Sequence, residues 1–303
     1  MKKTFKFLLF IILFSITTVV NAATHYITGD GVRVRSTPEN ADNIIGKLNY
    51  GDEIEVVDFD GSWYKIKFGD GYGYVTYRYV SKVEDSNTTH TIALLKEKTS
   101  LKKSNSSSSK TITSIPKNAV VKVLKENSNW SYVEYNEKLG YVKTKLLNKH
   151  TNKKEIAVGT YTINYSLSDS ARKSNITKSA KKLNEVVIKN GEKFSFIKKV
   201  GKSGYSKAPE FNKKVSVNGG GLSEVATSLY LSIRDAQRNG CHIEVIEQNR
   251  YGSKTPYAKL GEEAMIDLKN NKDLVFVNKS GKKIKVYSNV TGDNVSFVIS
   301  EYK

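Results

Sequence analysis

The chain has 303 residues, a length that suits two small domains and one larger domain rather than a single core. Lys and Arg number 49 against 30 Asp and Glu, which gives a formal net charge of +19 at pH 7. This charge predicts anionic partners, and the even spread of the lysines argues against a single recognition patch. Cys241 is the only cysteine, so an intramolecular disulfide is excluded.

Residues 1–22 have the pattern of a secretory signal peptide. Lys2, Lys3 and Lys6 precede an apolar run from Phe7 to Val20, and a cleavage site follows at Ala22. The run is shorter than the ~20 residues that a membrane-spanning helix needs, so we expect cleavage and no transmembrane anchor afterwards. Loss of three lysines would lower the formal charge from +19 to +16. For an exported protein the expected anionic partners are teichoic acids, phospholipid surfaces or a peptide-bearing cell wall, and export argues against nucleic acid.

The next part of the chain is a tandem duplication. Trp63 and Trp130 lie 67 residues apart, and Gly73-Tyr74-Val75 recurs as Gly140-Tyr141-Val142 at the same spacing. Each copy consists of short alternating segments separated by Gly- and Asp-rich turns, which is typical of a small all-β barrel. We therefore predict two such domains, at residues 24–83 and 91–150.

The first copy resembles the bacterial Src-homology-3-like domain over nearly its whole length. The matching segments are Gly31 to Ser36, Ile45 to Leu48, Gly51, Trp63 to Ile66 and Gly73 to Val75. The second copy is diverged, and its run Ser104 to Lys110 falls at the loop that Thr37 to Asn43 forms in the first. The polar stretches Val83 to His90 and Asn148 to Glu155 are predicted to be linkers.

This resemblance implies that the modules bind peptidoglycan, with anionic wall polymers as possible further partners. The candidate wall-binding residues are aromatic: Trp63, Tyr72, Tyr74 and Tyr77. In a barrel this small, Trp63 and alternate tyrosines also suit the core, so both interpretations stay open at this point.

Residues 154–303 have the pattern of an α+β domain. Helical spacing runs from Ile176 to Val187, with Ser174 or Asn175 as the predicted N-cap and Asn190-Gly191 as the stop. A second helical pattern begins at Leu222 and ends at Gly240. Four strand-like runs follow, at Ile243 to Ile246, Leu274 to Val277, Ile284 to Tyr287 and Val295 to Ile299.

An ordered set of short motifs in this domain resembles the VanW domain, named for its link to vancomycin-resistance clusters. The set includes Gly159 to Thr162, Asn190 to Phe196, Gly204-Tyr205, Gly219-Gly220-Gly221, Thr227 to Tyr230, and Tyr257 with Gly261. Three positions depart from the family pattern. Ser223-Glu224 stands where the family usually has Cys-Gln, Gly252-Ser253 where it has His-Ser, and Glu263-Ala264 where it has Asp-Ala.

The residues favour carboxylate chemistry over the alternatives. The four histidines are scattered, so we expect no metal and no cofactor. Cys241 and His242 are adjacent, and in a strand they would face opposite sides, which argues against a Cys–His pair. Glu192 is the first candidate catalytic residue, because a helix end and nearby phenylalanines would favour its protonated form. Glu224 is the second candidate, although the start of a helix favours a structural carboxylate there.

Two functions remain for this exported, wall-associated protein. In the first, the C-terminal domain cleaves glycan strands as a lytic transglycosylase does, with Glu192 as the general acid and base. Its predicted substrate-binding residues are Gly219, Gly220, Gly221, Tyr205 and Tyr257. In the second, the lost family residues mark a non-catalytic envelope scaffold, or a wall-precursor-binding protein linked to envelope stress or glycopeptide resistance. The predicted architecture is a multidomain chain of two Src-homology-3-like barrels followed by one α+β domain.

Overall fold

A computed structural model describes residues 25–60, 62–81, 91–150, 155–165, 169–209 and 216–302. The predicted signal peptide and the segment Val83 to His90 lie outside these ranges. In the described ranges, no helix combines the length and the apolar character needed to cross a membrane.

The first module is an antiparallel β structure. Five strands pair in the order β3-β2-β7-β6-β5, and β1 pairs separately with β4. Val34, Ile66 and Val75 are fully buried at its centre, because alternate strand residues face inward. The strands are β1 His25–Tyr26, β2 Val32–Arg35, β3 Ile44–Leu48, β4 Glu53–Ile54, β5 Val56–Phe59, β6 Trp63–Phe68 and β7 Gly71–Thr76.

The second module is one sheet in the order β10-β9-β13-β12-β11-β8-β14. Its strands are β8 Thr91–Leu95, β9 Thr99–Lys102, β10 Thr111–Ile115, β11 Val120–Glu126, β12 Trp130–Tyr135, β13 Lys138–Lys143 and β14 Leu147–His150. The segment Ser104 to Lys110 lies in the loop between β9 and β10, where the repeat spacing places it. Strand β14 pairs with β8, so Asn148 to His150 are part of the module. The sequence analysis had placed these residues in a linker.

The duplication is visible strand by strand. A shift of 67 residues carries β2, β3, β6 and β7 onto β9, β10, β12 and β13 with the same first and last positions. The short 3-10 helices Tyr77–Tyr79 and Thr144–Leu146 obey the same shift. The two copies therefore share these four strands and this 3-10 helix.

The C-terminal domain is α+β, as predicted. Its main antiparallel sheet has the order β15-β23-β22-β16, a second sheet has the order β17-β21-β20, and β18 pairs with β19. The strands are β15 Glu155–Asn164, β16 Val186–Ile188, β17 Lys193–Ser195, β18 Lys207–Pro209, β19 Ser216–Asn218, β20 Ile243–Gln248, β21 Leu274–Asn278, β22 Ile284–Thr291 and β23 Asn294–Tyr302. The helices are α1 Ser170–Leu183, α2 Phe196–Val200 and α3 Leu222–Arg238.

The bounds of α1 differ from the sequence prediction. Asp169 is the N-cap, and its carboxylate accepts the Arg172 backbone N–H at 2.7 Å, so the helix starts earlier than expected. Asn175 is buried inside the helix rather than capping it. The helix ends at Leu183, and Val187 lies in β16.

Helix α3 is the structural centre of the molecule, and every one of its residues is buried. It packs against β15 and β23 of its own domain and against the 3-10 helix Tyr77–Tyr79 of the first module. The second module packs on the same domain through a small apolar cluster that joins Val120 to Ala157 and Val298. The C-terminal domain is thus packed against both modules and is not joined to them by linkers alone.

A buried charge cluster fixes the second module to α3. The Lys122 ammonium is fully buried, with its Nζ 3.5 Å from Glu134 Oε2 and 3.6 Å from Asp235 Oδ2 on α3. Asp235 also accepts the Thr160 backbone N–H at 2.9 Å. One lysine therefore faces two carboxylates, one from its own module and one from the C-terminal domain.

Candidate functional site

Glu192, the first predicted catalytic residue, is exposed in the turn between β16 and β17. Its Oε2 accepts the Lys189 backbone N–H at 2.8 Å, which closes the turn. The expectation that Glu192 follows a helix end is wrong, because α1 ends at Leu183 and β16 intervenes. Phe194 and Phe196 are buried in the core while Glu192 stays in solvent, so the expected desolvation is absent as well.

Glu224, the second predicted catalytic residue, lies in the first turn of α3 and is 1% exposed. Its Oε1 accepts a hydrogen bond from Arg172 Nη2 on α1. Glu224 therefore has the structural role that the start of a helix suggested for it. An ion pair sealed between two helices leaves no room for a glycan at this carboxyl group.

The triple glycine Gly219–Gly221 is closely packed by protein atoms. A Cβ on Gly220 would lie 2.4 Å from the Ala208 carbonyl oxygen. Gly221 has a φ of +107°, and a Cβ there would lie 3.0 Å from the Arg172 carbonyl oxygen. The glycines are needed for this turn and for the close approach of α1 and β18. The space beside them is filled, so they do not form the predicted surface for a substrate.

The two predicted substrate-binding tyrosines both pack on the domain core. Tyr205 is 8% exposed, and its hydroxyl donates to the Val200 carbonyl oxygen at 2.9 Å. Burial raises the pKa of Tyr205 to about 12. Tyr257 is partly buried against the core.

The predicted wall-binding aromatics of the first module divide into two groups. Tyr72 is 53% exposed, and Lys65 Nζ lies 4.5 Å from its ring centre. Trp63 and Tyr74 are half-buried on the same two strands, β6 and β7. Tyr72 therefore has an aromatic face open to a ligand, whereas Trp63 and Tyr74 are each partly exposed to solvent and partly packed on the barrel.

Tyr77 belongs to the junction of the three domains rather than to an open face. Its hydroxyl donates to Glu137 Oε2 of the second module at 2.8 Å. Arg238 Nη1 of α3 forms an ion pair with Glu137 Oε1 at 2.7 Å, and the Arg238 guanidinium lies over the Tyr77 ring at 5.1 Å. Desolvation, and then the neighbouring Glu137 charge, raises the pKa of Tyr77. The prediction that Tyr77 contacts the wall is not supported, because its hydroxyl and its ring are engaged between domains.

A cavity of about 340 Å³ lies between the first module and the C-terminal domain. The module contributes Asp30, Tyr50 and Tyr79, and α3 contributes Arg234. His242, directly before β20, and Glu244 on β20 complete the lining described here. These residues are far apart in the sequence, and no motif joins them. The aromatic residues predicted to bind the wall, Trp63, Tyr72, Tyr74 and Tyr77, do not line this cavity.

Aromatic stacking closes one side of this cavity. The Tyr50 and His242 rings are parallel to within 5°, with centres 3.6 Å apart, and Tyr50 donates to the Gly240 carbonyl oxygen at 3.2 Å. Desolvation lowers the pKa of His242, which favours the neutral form of its ring. Arg234 is stacked over Tyr79 at 4.2 Å and donates to the Arg78 carbonyl oxygen at 2.8 Å.

The three departures from the family pattern lie close together in space. Tyr251 hydroxyl donates to Ser223 Oγ at 2.8 Å, and the Tyr251 backbone N–H donates to Glu263 Oε1 at 3.2 Å. Gly252 follows directly, so the positions of the family Cys, His and Asp converge at the start of α3. In this chain they hold Ser223, Gly252 and Glu263; Tyr251 hydrogen-bonds both Ser223 and Glu263, and the three positions contain no Cys–His pair. Within the described ranges, no group of three or more His, Cys, Asp or Glu side chains is arranged to hold a metal.

Two protein-family models match parts of the chain. Residues 171–300 match the family described as VanW like protein, and residues 30–81 and 98–148 match the family described as bacterial SH3 domain. The chain therefore contains a VanW-like domain preceded by two bacterial SH3 domains, and both resemblances inferred from the sequence are confirmed.

Several curated proteins are similar to parts of the chain. The cell wall-binding protein YwsB of Bacillus subtilis (strain 168) is 27% identical over 132 residues, which is 40% of this chain and 70% of that protein. The putative N-acetylmuramoyl-L-alanine amidase YrvJ of the same organism is 28% identical over 127 residues, 38% of this chain but 24% of that protein. The chain thus spans about a quarter of the amidase. Among solved structures, NlpC2 from Trichomonas vaginalis aligns over 93% of this chain and 97% of its own, at 11% identity and a TM-score of 0.20.

Proposed function

We propose that the protein is an exported peptidoglycan-binding protein of the cell wall. The observation that carries this proposal is the tandem pair of bacterial SH3 domains. The cell wall-binding protein YwsB supports it, because the similarity covers 70% of that protein. Two linked modules gain avidity on a repetitive surface. The exposed Tyr72 beside Lys65 gives the first module an aromatic and cationic patch. The formal charge of +16 that remains after loss of Lys2, Lys3 and Lys6 attracts anionic wall polymers.

The proposal is tested by co-sedimentation of the full chain, lacking residues 1–22, with purified sacculi. One batch of sacculi is treated with hydrofluoric acid to remove phosphate-linked polymers, and both batches are assayed at low and high salt. We expect sedimentation with both batches, because peptidoglycan is the proposed ligand. Recovery of the same amount in the pellet with and without sacculi would refute wall binding. Loss of binding after acid treatment would assign the affinity to the anionic polymers instead.

Glycan-strand cleavage by the C-terminal domain is a second candidate function. The observation that favours it is the exposure of Glu192, which leaves this carboxyl group open to a glycan, whereas Glu224 is sealed. Digestion of sacculi by the full chain, followed by mass spectrometry, tests for anhydro-muropeptides. If these products appear with the wild type and persist with Glu192→Gln, another group is the acid. If no product appears with the wild type, the protein acts on the wall by binding alone.

A further inference from the structure

The net positive charge is divided unequally among the three domains. Residues 25–81 of the first module contain six Lys and Arg against nine Asp and Glu, so this module is acidic. Residues 91–150 of the second module contain twelve against four. In the C-terminal domain the excess is concentrated in residues 170–209, which hold eleven basic and two acidic residues. The attraction for anions therefore lies on the second module and above all on this part of the C-terminal domain.

Five exposed lysines of this stretch lie on α1, on α2 and in the loop that follows α2. They are called here the basic face: Lys178 and Lys182 on α1, Lys198 and Lys199 on α2, and Lys202 in the loop. Lys178 Nζ donates to the Gly204 carbonyl oxygen at 2.5 Å, and Lys182 Nζ donates to the Val200 carbonyl oxygen. These two ammonium groups lie 5.7 and 5.1 Å from the centre of the Tyr205 ring. The lysines of α1 are therefore held against the segment that carries the other three.

The basic face keeps its positive charge. Among the residues that the structure describes, none of its five lysines forms an ion pair with a carboxylate. The oxygens that accept from the two α1 lysines are neutral carbonyls, and the one that accepts from Lys202 is the side-chain oxygen of Asn271. The two acids of the same stretch contact other groups, since Glu185 lies 4.0 Å from Lys285 and Glu192 closes its own turn. Ammonium groups without a counter-charge attract anions from solution.

The composition of the basic face favours a flexible polyanion over a membrane. Within residues 170–183 and 196–205, all of which the structure describes, no large hydrophobic side chain is exposed. A membrane-bound surface needs such side chains to enter the lipid layer, so this face has charge without an apolar anchor. Helix α1 has 14 residues and is about 21 Å long, which is enough for several charged groups of one polymer to contact it. Lysines are compact point charges that suit phosphates without demanding one fixed geometry.

We propose that the basic face binds a linear polymer of phosphodiester-linked polyols, of the kind that hydrofluoric acid removes from sacculi. The phosphates lie along the lysines of α1 and α2, and binding releases counterions as it does for other flexible polyanions. The acidic first module takes no part in this contact. The proposal rests on wall binding as the function of the protein and assigns a second ligand to a different domain. The modules hold peptidoglycan, and the C-terminal domain holds the polymer attached to it.

Fluorescence anisotropy with a labelled synthetic glycerol phosphate oligomer tests the proposal on the full chain lacking residues 1–22. The test variant combines Lys198→Gln, Lys199→Gln and Lys202→Gln on the basic face. The control variant combines three exposed sites elsewhere, Lys47→Gln, Lys254→Gln and Lys283→Gln, and has the same net charge. We expect the test variant to bind roughly tenfold more weakly, and its plot of log affinity against log salt to be shallower by about 2, since each lost phosphate contact removes about 0.7. The control variant should bind almost as tightly as the wild type.

The outcomes separate the basic face from peptidoglycan binding. Thermal unfolding first confirms that both variants are folded, and all three proteins are then sedimented with untreated and acid-treated sacculi. We expect the test variant to sediment less than the wild type with untreated sacculi only, because only these carry the phosphodiesters. Equal weakening of oligomer binding in both variants would mean that net charge and not the basic face governs it, and the proposal would be wrong. Tighter binding of the wild type to phosphatidylglycerol vesicles than to the oligomer, at equal phosphate concentration, would overturn it in favour of a membrane. Failure of the wild type to sediment with acid-treated sacculi would refute peptidoglycan binding, while the oligomer would still decide on the basic face.

Discussion

The two modules of this chain share a strand plan but use one cross-strand pair in opposite ways. In the first module, Glu55 and Lys67 form an ion pair at 2.7 Å with side chains 56–61% exposed. The equivalent pair in the second module is Lys122 and Glu134, with the charges reversed and both side chains buried. The reversal directs a lysine at Asp235 of α3. The comparison teaches that the same pair is a surface feature in one copy and a docking contact in the other.

The modules also differ in how they meet the C-terminal domain. The second module uses buried charges and the apolar contact of Val120 with Ala157 and Val298. The first module uses an aromatic stack, Tyr50 on His242, and leaves a cavity beside it. Divergence of the second copy from the family pattern therefore accompanies a structural role. The first copy keeps the pattern and borders the cavity.

The largest expected effect comes from removing the buried lysine. In Lys122→Met, Glu134 and Asp235 lose their counter-charge inside the protein, which should cost about 3–5 kcal/mol of the free energy of unfolding. The matched variant is Glu55→Met, which changes the equivalent position of the first module in solvent and should leave stability nearly unchanged. Thermal unfolding of both variants checks this. A similarly small change in both would mean that the second module is not anchored by this cluster.

A smaller, pH-dependent effect is expected at the contact of the first module. Packing against Tyr50 removes water from His242, and Lys279 also lowers its pKa, while Asp30 and Glu244 act in the opposite direction. Because the folded-state pKa lies below the ordinary value of 6.5, the stabilisation is present above pH 6.5 and is lost as the pH falls through the lowered pKa. Acidification should therefore loosen this contact and leave the Lys122 cluster in place.

Nuclear magnetic resonance titration of the imidazole checks the direction. We expect His242 to titrate below 6.5 in the wild type and closer to 6.5 in Tyr50→Ala, where water reaches the ring. The other histidines of the same protein serve as internal references. An unchanged His242 titration in Tyr50→Ala would show that the stack is not formed in solution.

The strands and the duplication were predictable from the sequence because local patterns determine them. The 67-residue spacing fixed the equivalence of strands, and the apolar spacing from Leu222 located α3 to within two residues. The start of α1 was missed because Ser174 and Asn175 are also good caps, and the capping bond of Asp169 is visible only in three dimensions. The docking of the modules was not predictable, since Lys122 and Asp235 are distant in sequence. The desolvation assumed for Glu192 failed because Phe194 and Phe196 pack in the core while Glu192 lies in the exposed turn before β17.

The smallest expected effect distinguishes the exposed faces of the two copies. Tyr72 is 53% exposed, and its equivalent in the second module is Leu139, which is 44% exposed. Replacement of either side chain by Ala removes few packed contacts, so stability should change by less than ~0.5 kcal/mol. If the first module presents the aromatic surface that contacts the wall, Tyr72→Ala should weaken sedimentation with sacculi a few-fold, and Leu139→Ala should leave it unchanged. Equal losses in both variants would mean that both modules contact the wall, even though the second module also packs against α3.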